Sequence, residues 1–285
     1  MKLYSVTYFE FFKRKVLYHI LRRSELPISD RRELFFASHN DRIGAAIQAY
    51  GSYEPEFLSC LDLLVKRLGI ADKSALDVGA NIGNHTLYFS RIFDAVIAFE
   101  PSQTLGLVLR ANVIRNGRKN VEVFCCGLGE EQGTAFVKNV NEQNTGMVEL
   151  EGIITGETDR EGTVDICKAD DLILDRKRPI GFVKVDVEGM EVSVFKGMRE
   201  CLMRDKPLIA FESRNAEEGE AVVGCLSESG YSYFYEIKAT RVFPWNSLNL
   251  RDLLSLKKSY SLRKIDTIEN RFYPAVFASV DEIVI

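Results

Sequence analysis

The stretch that decides the fold is Leu76-Asp77-Val78-Gly79-Ala80-Asn81-Ile82-Gly83-Asn84-His85-Thr86. An apolar run ends at Val78, two glycines mark a turn, and a helical pattern continues to about residue 92. A strand, a glycine-bearing turn and a helix in this order form a cradle for a nucleotide-like ligand, because N–H groups at a helix start lack helical partners and glycine lets a ligand approach the backbone. We therefore predict cofactor contacts at Asp77, Gly79, Ala80, Asn81, Gly83 and Thr86.

Two acidic residues indicate the kind of cofactor. A dinucleotide fingerprint beginning at Gly79 would need glycines at positions 81 and 84, and both are asparagines. Asp77 would repel a pyrophosphate, whereas its carboxylate suits the cationic amino-acid end of S-adenosylmethionine. Glu100 follows a second apolar run, and an acid at the end of the second strand is where a ribose diol is held. The pair favours S-adenosylmethionine over a nicotinamide cofactor; the alternative is a helix-capping Asp77 and a surface Glu100.

The composition sets broad limits on the class of protein. The chain has 285 residues, of which 46% are hydrophobic and 27% charged, which is ordinary for one large globular domain or one domain with an appendage. A net charge of −4 gives no reason to expect a nucleic-acid partner. Six cysteines without a C-x-x-C pair and only three histidines argue against a structural zinc site. The sequence has neither a long apolar span nor a signal-peptide core, so we expect a cytoplasmic protein.

Predicted strands alternate with predicted helices from residue 75 to residue 235, which is typical of a doubly wound α/β sheet. Beyond the first two, strands are predicted at 121–126, 181–186, 207–211, 231–237 and 275–279. Leu128, just after the third strand, is expected at the adenine end of the cofactor. An antiparallel excursion over 130–168 should carry a flexible loop around 139–146, and residues 240–270 should be irregular with helical pieces.

The N-terminal segment reads as a helical extension, residues 1–40, before a main domain over 41–285. Phe9, Phe12 and Val16 recur at helical spacing in the stretch 4–23, and basic residues crowd the rest of it. One interpretation is a helix that packs on the main domain with a solvated basic face. The other is a helix that lies on an anionic membrane surface.

A second constellation, Lys184-Val185-Asp186-Val187-Glu188-Gly189-Met190-Glu191, follows the predicted fourth strand. Lys184, Asp186 and, if the chain stays extended, Glu188 share one face of that strand. A central parallel strand is normally apolar on both faces, so charges at its carboxyl end suggest catalysis. A carboxylate, or a lysine made neutral by burial, could take a proton from a hydroxyl that is being methylated. The alternative is a Lys184–Asp186 ion pair with an acid capping the next helix.

Two further residues complete the candidate set. Glu212 ends the fifth predicted strand and could face Asp186, where both could hold a divalent cation or bond to substrate hydroxyls. His85, at the start of the helix after the glycine turn, is either a base or a capping and packing residue.

These motifs together resemble the FkbM family of S-adenosylmethionine-dependent methyltransferases. The resemblance is carried by Tyr53-Glu54, Asp77 to Gly83, Ala98-Phe99-Glu100-Pro101, Lys184 to Glu191 and Glu212, over roughly residues 41–215. It implies a Rossmann-like class I sheet of about seven strands, one antiparallel, and methyl transfer to a hydroxyl, commonly of a sugar or polyketide. It also implies cofactor binding by Asp77, Gly79, Asn81, Gly83 and Glu100, with Lys184, Asp186 and Glu188 on the acceptor side.

The predicted function is therefore an O-methyltransferase acting on a sugar hydroxyl of a glycan or glycolipid. A nicotinamide-dependent oxidoreductase is the competing enzyme class. A non-catalytic cofactor-binding protein at a membrane is the alternative outside enzymes.

Overall fold

A mixed sheet of nine strands runs through the part of the chain that the structure describes. This computed structural model describes residues 5–6, 8–21, 33–37, 42–138, 149–154, 163–242 and 257–284. The strand order is β1 (Ser5–Val6), β12 (Lys257–Ile265), β11 (Tyr233–Val242), β13 (Tyr273–Ser279), β10 (Leu208–Ser213), β9 (Ile180–Val185), β2 (Ser74–Val78), β3 (Ala95–Phe99) and β4 (Val121–Phe124).

Seven of these strands form the predicted class I arrangement. Strands β4, β3, β2, β9 and β10 are parallel, and β13 is antiparallel to both of its neighbours, β10 and β11. It follows that β11 runs in the same direction as β10. The prediction of one antiparallel strand among about seven is confirmed, and that strand contains the predicted run 275–279. The parallel strands end together at one edge, which we call the carboxyl edge, and ligands of such sheets bind there.

The sheet extends beyond the predicted seven strands. β12 pairs with β11 in continuous register from Val242↔Lys257 to Phe234↔Ile265, and β1 pairs with β12. The prediction that residues 240–270 are irregular is therefore wrong for β12. Residues 243–256 of the predicted irregular stretch lie outside the described residues. Because β1 adds to the same sheet, the N-terminal segment contributes an edge strand, while a domain boundary at residue 40 stays a prediction.

Helices cover both faces of the sheet. They are α1 (Tyr8–Leu21), α2 (Arg42–Tyr50), α3 (Pro55–Leu68), α4 (Asn84–Ile92), α5 (Gln103–Arg115), α6 (Ala169–Ile173), α7 (Glu191–Gly197), α8 (Arg199–Asp205) and α9 (Ala216–Glu228). Side chains alternate along β9, so Phe182 packs with Phe57 and Phe89 of α3 and α4, whereas Val183 packs with Val194 of α7 and the other helices of the second layer. The central strands are thus apolar on both faces, as expected of a parallel sheet.

Three details differ from the sequence-based expectation. Helix α2 was not predicted, and the helical segment that follows β9 consists of two helices, α7 and α8, that meet at Met198. The excursion over 130–168 contains a second sheet, in the order β5 (Gly127–Gly129), β8 (Thr163–Lys168), β6 (Gly133–Lys138) and β7 (Glu149–Ile154). The predicted loop at 139–146 lies outside the described residues.

Among the described helices, none has both the length and the apolar character needed to cross a bilayer.

Candidate active site

The glycine turn packs against the end of the neighbouring strand β9. Gly79 has φ +84°, and a Cβ atom built there would lie 1.9 Å from the carbonyl oxygen of Asp186. The N–H groups of Gly79 and Ala80 both donate to the carbonyl of Phe99, and that of Gly83 donates to Ala80. The space in the Cβ direction of Gly79 is thus occupied by backbone of the same protein, while the contact of Gly79 with a cofactor stays a prediction. The donors of the turn itself are likewise used internally.

Asp77 is fully buried at the end of β2, beneath the first turn of α4. Its Oδ2 accepts a 2.5 Å hydrogen bond from the Thr86 hydroxyl, and its Oδ1 has no hydrogen-bond partner among the described residues. Thr86, which was predicted as a cofactor contact, thus orients Asp77. A buried carboxylate oxygen without a donor is a site that attracts a cation or a donor group. Asp77 also lies opposite Lys184 in the β2–β9 register.

Glu100 projects from the end of β3 into the turn. Its Oε2 accepts from the Asn81 N–H at 2.8 Å and its Oε1 accepts from the Ser102 N–H at 2.9 Å. Burial raises the pKa of Glu100 to about 7, although the two backbone hydrogen bonds act in the opposite direction. Both oxygens are thus held in fixed directions, and each keeps acceptor capacity for a further donor such as a ribose hydroxyl. Asn81 has φ +51°, which aims its N–H at Glu100.

The Lys184 amine is buried among carboxylates. Its Nζ donates to Oδ2 of Asp186 at 2.7 Å. Burial alone would lower the pKa of Lys184, but the charges of Asp186, Asp77 and Glu54 raise it above its ordinary value. A neutral lysine acting as the base is therefore disfavoured, since this amine is protonated at neutral pH. Burial disfavours the ionised form of Asp186, yet Lys184 beside it holds the pKa of Asp186 below its usual range.

Three carboxylates, which we call the carboxylate cluster, converge at the mouth of the cleft. Oxygens of Asp186, Glu188 and Glu212 lie within 4.8 Å of one another. Burial and then the charges of Asp186 and Glu188 raise the pKa of Glu212 to about 8. Such a cluster either shares a proton or holds a divalent cation with oxygen ligands. Both readings of the sequence, hydroxyl binding and metal binding, are therefore compatible with its geometry.

Glu188 reaches this cluster by a route the strand pattern did not predict. Strand β9 ends at Val185, and Glu188 has φ +53°, so extended alternation does not continue to it. Arg214 Nη1 lies 3.6 Å from Oε2 of Glu188. The expected helix cap is also absent, because the residue that caps α7, Met190, makes no side-chain cap bond.

Glu54 is a site residue whose role the sequence did not reveal. It is the N-cap of α3, has φ +51°, and places Oε2 3.3 Å from Nε2 of His85. Tyr53, just before it, is tied to α4 by two hydrogen bonds between its backbone and the Asn84 side chain. The ring of His85 packs on Phe57, with centroids 5.4 Å apart. His85 is thus largely a packed residue that contacts Glu54.

Strained backbone concentrates at this edge. Among the described residues, four that are not glycine have positive φ, and three of them, Glu54, Asn81 and Glu188, surround the site. Such conformations cost about 1–3 kcal/mol each and cluster at functional sites. Leu128, by contrast, is 2% exposed and lies in the hydrophobic core, so its contact with a cofactor stays a prediction.

A family model described as the methyltransferase FkbM domain matches residues 77–239, more than half of the 285 residues. The chain belongs to the FkbM methyltransferase family. It therefore carries a methyltransferase domain with the Rossmann-like class I strand order described above, and the methyl donor of this domain is S-adenosylmethionine. The competing assignment to nicotinamide-dependent oxidoreductases is wrong.

Individual relatives of this FkbM-family protein are distant. "Methyltransferase 1" of the fungus Beauveria bassiana (strain ARSEF 2860) is 26% identical over 147 residues, which are 45% of this chain and 59% of that protein. The chain thus spans about three fifths of this curated relative. The FkbM methyltransferase structure from Methylobacillus flagellatus KT is 18% identical, with 88% of this chain and 60% of that chain covered and a TM-score of 0.40. A Streptococcus mutans protein solved with SAH is 14% identical, with coverages of 72% and 97% and a TM-score of 0.38.

The residues at the carboxyl edge fit the charged and polar groups of S-adenosylmethionine. The unpartnered Oδ1 of buried Asp77 suits the cationic amino-acid end of the donor. The carboxylate of Glu100, fixed by two backbone donors, suits the ribose diol. These two acids were the decisive sequence signals, and the structure brings both to the same edge of the sheet.

Proposed function

We propose that this FkbM-family protein is an O-methyltransferase whose acceptor is a sugar hydroxyl in a glycan or glycolipid. The observation that carries the proposal is the carboxylate cluster, whose oxygens lie within 4.8 Å of one another at the carboxyl edge. Carboxylates accept hydrogen bonds from hydroxyls, and neighbouring sugar hydroxyls present several such donors at once. The same negative charges disfavour phosphate-bearing acceptors such as nucleic acids.

The chain's own residues divide the work of handling the acceptor hydroxyl. S-adenosylmethionine, when bound, supplies a methyl group on a positively charged sulfur. Asp186 stays ionised because Lys184 is bonded to it, so it serves to orient the hydroxyl. Glu212 accepts the proton that the hydroxyl loses, since a base with a pKa near the working pH is the most effective. Glu188, turned toward the cluster, contributes a further acceptor for a neighbouring hydroxyl.

We also propose a cytoplasmic location and a role in polysaccharide or glycolipid biosynthesis. The described residues include all six cysteines, and all of them are free thiols. Free thiols, several of them buried, are typical of a reducing compartment.

The test is methyl transfer from deuterium-labelled S-adenosylmethionine to a panel of saccharides, glycolipids, amine-bearing peptides and RNA, with the product located by mass spectrometry. We expect label on a saccharide oxygen. Asp186→Asn should lower kcat at least 100-fold while the Kd for S-adenosylmethionine changes little. Glu282→Gln, which alters an exposed acid paired with Lys264, is the control and should leave both values unchanged. Label on an amine, or on RNA, would overturn the proposal.

A further inference from the structure

A cavity of about 580 Å³ lies at the carboxyl edge, between α1 and the ends of strands β11, β12 and β13. We call it the aromatic pocket because six of its fifteen lining residues carry aromatic rings. The rings belong to Phe11, Tyr18, Tyr53, Phe57, Tyr260 and Phe272. The rest of the lining is mostly apolar, with three charged residues, Arg14, Glu54 and Glu56. A mainly apolar lining with a few polar groups is typical of sites for small organic ligands.

The aromatic pocket adjoins the carboxylate cluster. Its lining includes Ala239 in the second half of β11 and Ala275 near the start of β13. Because β11 runs parallel to β10 and β13 runs antiparallel, both positions lie at the carboxyl edge. Glu54 lines the pocket as well, and its charge acts on both Lys184 and Glu212. Glu54 therefore links the pocket lining electrostatically to the proposed reaction site.

The chemistry of the lining points to a ligand with two different ends. Aromatic faces pack against apolar groups and against the C–H face of a sugar ring, whereas the carboxylate of Glu54 accepts bonds from hydroxyls. The volume lies within the range of about 300–1,000 Å³ that drug-sized ligands occupy. We propose that the aromatic pocket binds the acceptor as an aryl or alkyl glycoside, with the apolar group against the rings and the sugar toward Glu54. This inference rests on the proposed sugar O-methylation and names its substrate class.

Two phenylalanines of similar exposure provide a matched test. Phe272 lines the aromatic pocket and is 49% exposed, whereas Phe12 is 56% exposed and does not line it. Binding of phenyl glucoside and of glucose is measured by saturation-transfer NMR without methyl donor, and methyl transfer is measured separately. Phe272→Ala should weaken phenyl glucoside binding about five- to tenfold and leave glucose binding unchanged. Phe12→Ala should change neither, and Phe11→Ala should repeat the effect of Phe272→Ala.

The two readouts separate the pocket from the reaction. Unchanged binding in both pocket variants, equal binding of glucose and phenyl glucoside, or no phenyl glucoside binding at millimolar concentration would overturn the pocket assignment. Binding that weakens in the pocket variants without any sugar methylation would support the pocket and overturn the proposed sugar O-methylation. Sugar methylation that persists unchanged in the pocket variants would support the proposed sugar O-methylation and overturn the pocket assignment.

The outward face of α1 supports a second inference that is independent of the aromatic pocket. Phe9, Phe12 and Val16 lie along one stripe of the helix and are 50%, 56% and 41% exposed. Lys13 and Lys15 are also exposed, and at 100° per residue they fall on either side of that stripe. An apolar stripe between cationic side chains is the pattern of a helix that lies in the headgroup region of an anionic bilayer. We infer that this face of α1 binds an anionic lipid surface.

Vesicle co-sedimentation tests the lipid contact. The protein should bind vesicles of phosphatidylcholine containing phosphatidylglycerol more strongly than vesicles of phosphatidylcholine alone, and less strongly in high salt. A double variant, Phe12→Ser with Val16→Ser, should lower the bound fraction several-fold, whereas Phe272→Ser should not. Equal binding to both kinds of vesicle, or unchanged binding by the double variant, would overturn this inference.

Discussion

Replacement of Glu100 by glutamine tests the cofactor site without knowledge of the acceptor. The ionised carboxylate accepts bonds from the Asn81 and Ser102 amides and is expected to hold the ribose diol as well. A hydrogen bond to a charged group contributes about 1.5–3 kcal/mol, against about 1 kcal/mol for a neutral pair. Loss of the charge from two such bonds amounts to about 1–3 kcal/mol. Glu100→Gln should therefore weaken S-adenosylmethionine binding about 10- to 100-fold, measured by titration calorimetry at pH 8.

The same site should make cofactor binding depend on pH. Because the pKa of Glu100 is raised to about 7, the carboxylate is mostly protonated at pH 6 and mostly ionised at pH 8. If binding needs the ionised form, the wild-type Kd should tighten by about tenfold between these values. In Glu100→Gln this dependence should disappear. Equal affinity of wild type and variant at pH 8, or the same pH dependence in both, would refute the assignment of Glu100 to the ribose.

Two stability effects of Glu100→Gln oppose each other, so the variant should fold. A raised carboxyl pKa means that the native state loses stability as pH rises from about 4.5 to about 7, by about 3 kcal/mol for this shift. Glutamine removes that cost at pH 8. The amide NH2 of glutamine would also face one of the two backbone N–H groups, so that this N–H loses its acceptor, which costs about 1–3 kcal/mol. A thermal melt at pH 8 checks that the binding loss is not unfolding, with Glu282→Gln as the control.

Three further predictions concern the turn and the charged cluster. In a urea titration, Gly79→Ala should lower the free energy of unfolding by about 3–5 kcal/mol, because its Cβ would meet the Asp186 carbonyl. Gly230→Ala is the control, since Gly230 has φ +93° and nothing near its Cβ, and it should lower the free energy of unfolding by about 1–2 kcal/mol. The kcat/KM of wild type should rise with pH through about 8 as Glu212 ionises, and a similar rise in Glu212→Gln would exclude Glu212 as the base. Lys184→Met should lower the free energy of unfolding by about 3 kcal/mol at pH 8, which is toward the low end for a broken buried pair because Asp186 is partly exposed. The loss should be smaller at pH 5. Equal losses at both pH values would contradict the charge pairing.

The strand ends that bind the cofactor were predictable because their signals are local. An apolar run gives a strand, and an acid directly after it, such as Asp77 or Glu100, must lie where that strand ends. Parallel neighbours end at a common edge, so the two acids meet without any knowledge of the remaining fold. The strand over 275–279 was predictable for the same reason, since it is a short apolar run, whereas its antiparallel direction was implied by the family resemblance.

Features that depend on long-range packing were not predictable. The polar residues of β12 obscure a strand that pairs with β11 and whose buried Leu262 packs in the same core cluster as Phe57 of α3. The charge of Glu54 acts on Lys184 only because α3 begins beside α4, where Glu54 contacts His85, and no spacing in the sequence encodes this. The close approach of the Asp186 carbonyl to Gly79 is another such feature, since the two residues lie far apart in the sequence. The turn at Glu188 is likewise a consequence of positive φ, which the sequence pattern does not indicate for a glutamate.

The charges at the carboxyl edge explain why one protein site suits both a cationic donor and a hydroxyl acceptor. Carboxylates outnumber cationic groups near Lys184, where Asp77, Asp186 and Glu54 all act on the one amine. Burial, and then the charges of the neighbouring carboxylates, raise the pKa of Glu212, because buried acids in excess cannot all ionise. Any positively charged ligand that enters reduces this repulsion, so the arrangement favours a cationic methyl donor over its neutral product. The acid left protonated in the absence of such a ligand is also the one placed to become a base.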